Sequence, residues 1–128
     1  MRINAIAKKN YAIQTKLEKV ISYTKQTMVA YMSEEDLNRL CAYVAEYSTG
    51  DTLQKISPVK VDSQLKSIDI MHFGWNIGKA FNKKRIHTAI FIKNIFSYTL
   101  RNLEISTIER KMSHTESECH IKLDINII

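Results

Sequence analysis

Hydrophobic positions recur every three or four residues over most of this chain, the spacing of helices with one buried face. This spacing predicts five helices, over residues 13–32, 33–47, 65–81, 86–102 and 106–112. Residues 119–127 differ, because apolar and polar residues alternate strictly there, as in a half-buried β-strand. The pattern therefore predicts a compact, mainly α-helical domain with a C-terminal β-strand.

Two of the predicted helices begin with capping signals. Ser33 precedes three acidic residues, so its hydroxyl is expected to accept a hydrogen bond from the first turn. Ser106 and Glu109 have the spacing of a capping box, which predicts a helix start at Ser106. Gly50 follows the second helix and is available for a left-handed cap.

The largest apolar side chains lie between residues 69 and 112, which contain the single tryptophan, Trp75, and all four phenylalanines. The helix at 65–81 is apolar nearly all round, which predicts that it forms the centre of the core with Trp75 largely buried. Gly74 and Gly78 lie one turn apart, and each costs about 1 kcal/mol in a helix. Close packing of a neighbouring helix against them is the expected compensation.

The predicted C-terminal strand needs a partner, because a single strand is not stable alone. The pattern leaves three partners open: residues 59–61, the mixed residues 1–7 read as an edge strand or lead-in, or the same strand of a second chain. The third alternative would make the protein a homodimer.

Length and composition predict one domain over residues 1–128, long enough to bury a core without disulfides or metals. No apolar run has the length of a signal peptide core or a membrane span. Cys41 and Cys119 are far apart in sequence and are expected to be free thiols. These observations favour a cytoplasmic protein without a membrane partner.

The net charge is +6, and residues 63–112 contain nine basic and three acidic residues. The excess therefore lies in the same part of the chain as the aromatic residues. Such a distribution fits an acidic partner, nucleic acid first among them, and equally fits a solvated basic surface.

Catalytic signatures are absent from the local sequence, and no enzyme activity, cofactor or metal is expected. Asp69 is the single acid between residues 63 and 102, and is interpreted as a capped or paired structural group. His72 is interpreted as a hydrogen-bonded core histidine. None of the four histidines forms a zinc-binding spacing with a cysteine or another histidine.

The run LEISTIERKM at residues 103–112 resembles the turn and recognition helix of small helix-turn-helix DNA-binding domains. In that family the polar face of the recognition helix enters the major groove. The resemblance implies that Ser106 and Thr107 reach phosphate or base edges, and that Arg110 and Lys111 contact bases or backbone. With the cluster at residues 83–85, the candidate nucleic-acid-binding residues are Lys83, Lys84, Arg85, Ser106, Thr107, Arg110 and Lys111.

The leading hypothesis is a small, non-enzymatic nucleic-acid-binding protein with a regulatory role, and DNA is preferred over RNA as its partner. The alternative is a helical protein-interaction module, an adaptor or inhibitor, whose basic surface meets an acidic protein. The two basic clusters flank the helix predicted at 86–102, which would be about 25 Å long. They can share one surface only if the last helix folds back along it.

Overall fold

A computed structural model describes the backbone of residues 2–50, 53, 55–115 and 118–127. Helices account for most of these residues, and no β-strand occurs among them. In chain order the helices are α1 (Arg2–Met28), α2 (Glu34–Thr49), α3 (Ser67–Ala80), α4 (Arg85–Ile95), α5 (Ser97–Leu100) and α6 (Ile105–Lys111). The expected mainly helical fold is confirmed, and the expected C-terminal strand is not.

The largest differences from the predicted helix boundaries occur at three places. Helix α1 begins at Arg2, so the residues interpreted as an edge strand or lead-in are helical, in keeping with a start free of glycine and proline. It ends at Met28, after which the chain turns through a bond from the Tyr31 N–H to the Met28 carbonyl. The helix predicted at 86–102 is divided at Phe96, whose φ of −103° and ψ of 41° are not helical.

The start of α2 agrees with its capping signal. The Ser33 hydroxyl accepts a hydrogen bond of 3.1 Å from the Asp36 backbone N–H. The end of α2 differs from the prediction, because Gly50 has φ −159° and ψ 170° and is extended rather than left-handed. Gly50 therefore does not form a left-handed cap.

From residue 55 onward, the described part of the connector between α2 and α3 has no helix or strand, as expected around Pro58. It is fastened to α2 by Arg39, which donates to the carbonyls of Ser57 and Pro58 at 3.1 and 2.9 Å. Asp36 holds Arg39 through an ion pair of 2.9 Å and also accepts the Lys60 backbone N–H at 3.1 Å. These side-chain bonds replace the short strand expected at residues 59–61.

Two glycines set the contact between α3 and α4. A Cβ atom on Gly74 would lie 2.7 Å from Cγ2 of Ile92, and one on Gly78 would lie 2.5 Å from Oγ1 of Thr88. Real Cβ atoms do not approach so closely. The glycines therefore let α4 pack directly against α3 in the antiparallel direction, which confirms the close packing expected from their spacing.

The core is centred on Phe73 rather than on Trp75. Phe73 is fully buried, stacks on Tyr23 of α1 at 5.9 Å between ring centroids, and meets the edge of Phe96 at 6.0 Å. Trp75 is only partly buried. Trp75 is therefore not the centre of the core, because the glycine face of α3 turns toward α4 and leaves Trp75 packed at the core margin.

The C-terminal segment, residues 118–127, lies across α3 without forming a strand. Ile121 is buried, and Cys119, Leu123 and Ile127 are partly buried, whereas the polar residues between them are exposed. The predicted inward face of odd-numbered residues is therefore present except at Ile125, which is 68% exposed. Its backbone groups bond instead to a polar ladder on α3, formed by Asp69, His72 and Asn76. The ladder takes the place of a partner strand, so the expectation of a strand-mediated homodimer has no support.

The polar ladder makes six hydrogen bonds to the backbone of residues 114–124. Asp69 accepts the N–H groups of His120 and Ile121 at 2.6 and 3.0 Å. His72 has its ring nitrogens 2.7 and 2.5 Å from the carbonyl oxygens of Ile121 and His114. Asn76 donates to the Lys122 carbonyl at 2.8 Å and accepts the Asp124 N–H at 2.7 Å. Asp69 and His72 therefore have the structural roles expected of them.

Replacing Gly78 with alanine is expected to lower the free energy of unfolding by about 1 kcal/mol or more. The new Cβ would overlap Thr88, whose hydroxyl is held by Tyr47 at 2.9 Å, and overpacking of this kind costs about 1–3 kcal/mol. The gain in helix propensity, about 1 kcal/mol, offsets only part of this cost. Urea unfolding measures the difference.

Gly50→Ala is the matched control, because a Cβ at Gly50 meets no atom within 4 Å. Its free energy of unfolding should stay within about 1 kcal/mol of the wild type. A Gly78→Ala variant more stable than the wild type would contradict the close α3–α4 contact.

Replacing Phe73 with alanine should cost about 3–5 kcal/mol, as for other fully buried aromatic residues. Trp75→Ala should cost distinctly less, because part of the Trp75 side chain already faces solvent. Thermal and urea unfolding of the two variants compare them directly. Equal losses would return the centre of the core to Trp75.

Candidate nucleic-acid-binding surface

Helix α6 folds back along α4, so the two basic clusters of the sequence lie side by side. Ile108 and Met112 anchor α6 to the core and are fully buried. Arg85, the first residue of α4, donates to the carbonyls of Glu109 and Arg110 at 2.5 and 3.5 Å, and to the Ser113 hydroxyl at 2.9 Å. The end of α6 is therefore attached to the start of α4.

The opposite ends of the same two helices are also joined. Lys93, near the end of α4, donates to the carbonyl of Leu103 in the turn before α6, and to that of Leu100 at 3.3 Å. With Arg85 at one end and Lys93 at the other, α4 and α6 run antiparallel. Helix α6 thus folds back along α4, as is required for the two basic clusters to share one surface.

Arg85 holds the fold together as well as contributing charge. Its guanidinium group bonds the last carbonyls of α6, where a cation also interacts favourably with the helix dipole. Lys83 is likewise engaged, since its Nζ atom donates to the Gly50 carbonyl at 3.3 Å and lies 5.1 Å from the centre of the Tyr47 ring. These two of the predicted binding residues therefore have contacts within the chain.

Lys84, Ser106, Arg110 and Lys111 are exposed, and Thr107 is partly exposed. Ser106 and Arg110 are four residues apart on α6, as are Thr107 and Lys111, so each pair lies on one side of the helix. The structure thus presents the predicted α6 residues to solvent at one end of α4. Arg110 and Lys111 lie in the last turn of α6, next to the carbonyls that Arg85 bonds.

The predicted capping box at the start of α6 is wrong. The helix begins at Ile105, its N-cap is Glu104, and no side chain caps it. The physical reason is the burial of apolar side chains. A helix that starts at Ile105 has Ile105 and the fully buried Ile108 on the same side, facing the core. Ser106 therefore lies within the first turn, and its side chain is free of the capping role.

Lys79 and Trp75 belong to this region but were not among the predicted residues. They border a small cleft between the ends of α3, α4 and α6, and the Lys79 Nζ atom lies 5.5 Å from the centre of the Trp75 ring. Lys83 and Arg85 line the same cleft. The signal in the sequence was the four-residue spacing of Trp75 and Lys79, which places them on one side of a helix.

Carboxylates do not neutralise most of this charge. Among the described residues, an ion pair joins Arg39 to Asp36 on α2, outside this surface. The cations without a described carboxylate partner include Lys79, Lys84, Arg85, Arg110 and Lys111. A surface with several cations and no paired acid has a positive potential that attracts anions.

Other chemistry is sparse among the described residues. Cys41 and Cys119 are not joined in a disulfide, and burial raises the pKa of the Cys41 thiol against the opposing effect of Lys25. A raised thiol pKa disfavours the nucleophilic thiolate. No group of three His, Cys, Asp or Glu in the described ranges could hold a metal ion.

Comparison with protein-family models, with curated proteins and with solved structures gave no match. The resemblance to helix-turn-helix domains therefore stays a prediction. None of the helices described is both long and apolar enough to span a bilayer, α1 with its 27 residues included.

Arg85→Ala should lower the free energy of unfolding by about 1 kcal/mol, because it removes the hydrogen bonds that attach α6 to α4. Lys84→Ala, at the neighbouring exposed position, should change it by less than about 0.5 kcal/mol. Urea unfolding of the two variants compares the contribution to stability of Arg85, which bonds α6, with that of Lys84, which faces solvent. Equal stability of the two variants would show that the Arg85 contacts do not hold α6.

Proposed function

We propose that this protein binds nucleic acid through a basic surface formed by the start of α4 and the solvent-facing side of α6. The observation that carries the proposal is the attachment of α6 to Arg85, which brings Lys84 together with Arg110 and Lys111. These three cations form no ion pair with the described carboxylates. Phosphate groups are the acidic partner that such a surface fits best.

DNA is the preferred nucleic acid. In the helix-turn-helix mode of binding, α6 would approach the major groove with Ser106 and Thr107 toward base edges. Arg110 and Lys111 would contact bases or phosphates, and Lys83, Lys84 and Arg85 would follow the adjacent backbone. Helix α6 has seven residues and is about 10 Å long, so its contacts would cover a short stretch of duplex. A cytoplasmic location is part of this proposal.

The proposed role is binding without catalysis, in keeping with a regulatory protein. The alternative partner is an acidic protein, which would meet the same unpaired cations. Salt dependence alone does not separate the two partners, because both associations are electrostatic. Direct titration with nucleic acid does separate them.

Fluorescence anisotropy of a labelled mixed-sequence duplex, titrated at several salt concentrations, is the test. Wild-type affinity should fall steeply with salt, because bound cations release phosphate counterions. The Arg110→Ala/Lys111→Ala variant should bind more weakly, with its log–log salt slope reduced by roughly two. Neither residue makes a described side-chain contact that its replacement would break.

Lys16→Ala/Lys19→Ala is the matched control, since it removes the same charge from α1, away from the proposed surface. Its affinity and salt slope should stay close to those of the wild type. Equal weakening by both double variants would indicate a general charge effect and contradict the proposed surface. A wild-type protein that ignores duplex and single-stranded nucleic acid at low salt would favour the acidic-protein partner.

A further inference from the structure

His72 occupies an unusual position between two hydrogen-bond acceptors. Its side chain is 1% exposed, with Nδ1 2.7 Å from the Ile121 carbonyl oxygen and Nε2 2.5 Å from that of His114. Carbonyl oxygens only accept hydrogen bonds, so both ring nitrogens must donate. A neutral imidazole has one N–H group, whereas the imidazolium ion has two.

We propose that His72 is a proton-binding site that controls the attachment of the C-terminal segment to α3. With the proton bound, His72 fastens the backbone at His114 and at Ile121 together. When the proton leaves, one of the two bonds is lost and a carbonyl group remains without its donor. The segment then loosens, because it has no partner strand and depends on the polar ladder.

The polar ladder also contains the negative charge that a buried imidazolium needs. A buried cation is costly unless it is hydrogen-bonded and its charge is balanced. Asp69 lies one turn before His72 on the same helix and is also 1% exposed. It accepts backbone N–H groups from Lys66 at 2.9 Å and from His120 and Ile121, as an ionised carboxylate does.

Other titratable groups near the ladder do not replace His72 in this role. Tyr23 of α1 accepts a hydrogen bond of 2.7 Å from Asn76, and burial raises the pKa of its hydroxyl, so it stays neutral near pH 7. His114 and His120 have exposed side chains, and their bonds to the ladder come from backbone atoms. The remaining charged side chains of residues 118–127 are Glu118, Lys122 and Asp124.

The sign of the pH dependence follows from the bonds. The protonated form makes both bonds, so the attachment is complete at low pH and is lost as the pH rises. Histidine side chains exchange this proton between about pH 5 and 8.

Nitrogen NMR of the histidine rings tests the protonation state directly. At about pH 5.5, well inside the range in which histidine binds a proton, both ring nitrogens of His72 should have the chemical shifts of protonated nitrogen. A His72 ring with one unprotonated nitrogen at that pH would overturn the proposal. Because the measurement uses the wild-type protein, it does not depend on any variant folding.

Amide hydrogen exchange tests the consequence for the segment. After correction for intrinsic rates, protection of the His120, Ile121 and Asp124 amides should fall roughly tenfold between about pH 5.5 and 8.5, while amides in α4 keep theirs. The His114→Gln/His120→Gln variant should retain this fall, because it preserves the backbone atoms that bond the ladder. His72→Gln should abolish it, since glutamine gains no proton.

Constant protection across this pH range would overturn the proposal. So would a fall that disappears in the His114→Gln/His120→Gln variant, because the titrating group would then be one of the exposed histidines. Neither outcome tests nucleic-acid binding, which the anisotropy titration measures separately.

Discussion

The direct contact between α3 and α4 is the constraint on which the rest of the molecule depends. Gly74 and Gly78 remove the side chains that would separate the two helices, and Ile92 and Thr88 occupy the space. Because α4 is fixed in this way, its first residue is positioned to hold the end of α6. The basic surface is therefore a consequence of packing between two apolar helices.

The periodicity of the sequence was sufficient for the helical architecture, because long amphipathic stripes have few other ways to be buried. The same is true of the glycine pair, whose cost in a helix requires a close neighbour. The periodicity was not sufficient to predict the orientation of α3, since a helix that is apolar on all sides does not indicate which side meets which neighbour. Trp75 was misplaced for that reason, and Lys79 beside it was overlooked.

Residues 119–127 show a second limit of pattern reasoning. Alternation predicts an extended chain with one apolar side, and it carries no information about what satisfies the backbone. Here polar side chains of a helix do so, and Asp69, His72 and Asn76 are spaced by three and four residues like any helical face. At the surface, the sequence identifies the basic residues but not their contacts. Only the fold shows that Arg85 is bound to α6 while Lys84 faces solvent.

The polar ladder recognises main-chain atoms, and main-chain atoms are the same for every residue type except proline. Substitutions are therefore expected to be tolerated more readily in the C-terminal segment than in the polar ladder. The side chains of the segment can drift, provided that the chain keeps its path and its N–H groups. The pattern Asp-x-x-His-x-x-x-Asn on α3 cannot drift in the same way. Distant relatives should therefore be recognisable by three residues of one helix, even where the sequence that lies across it has changed completely.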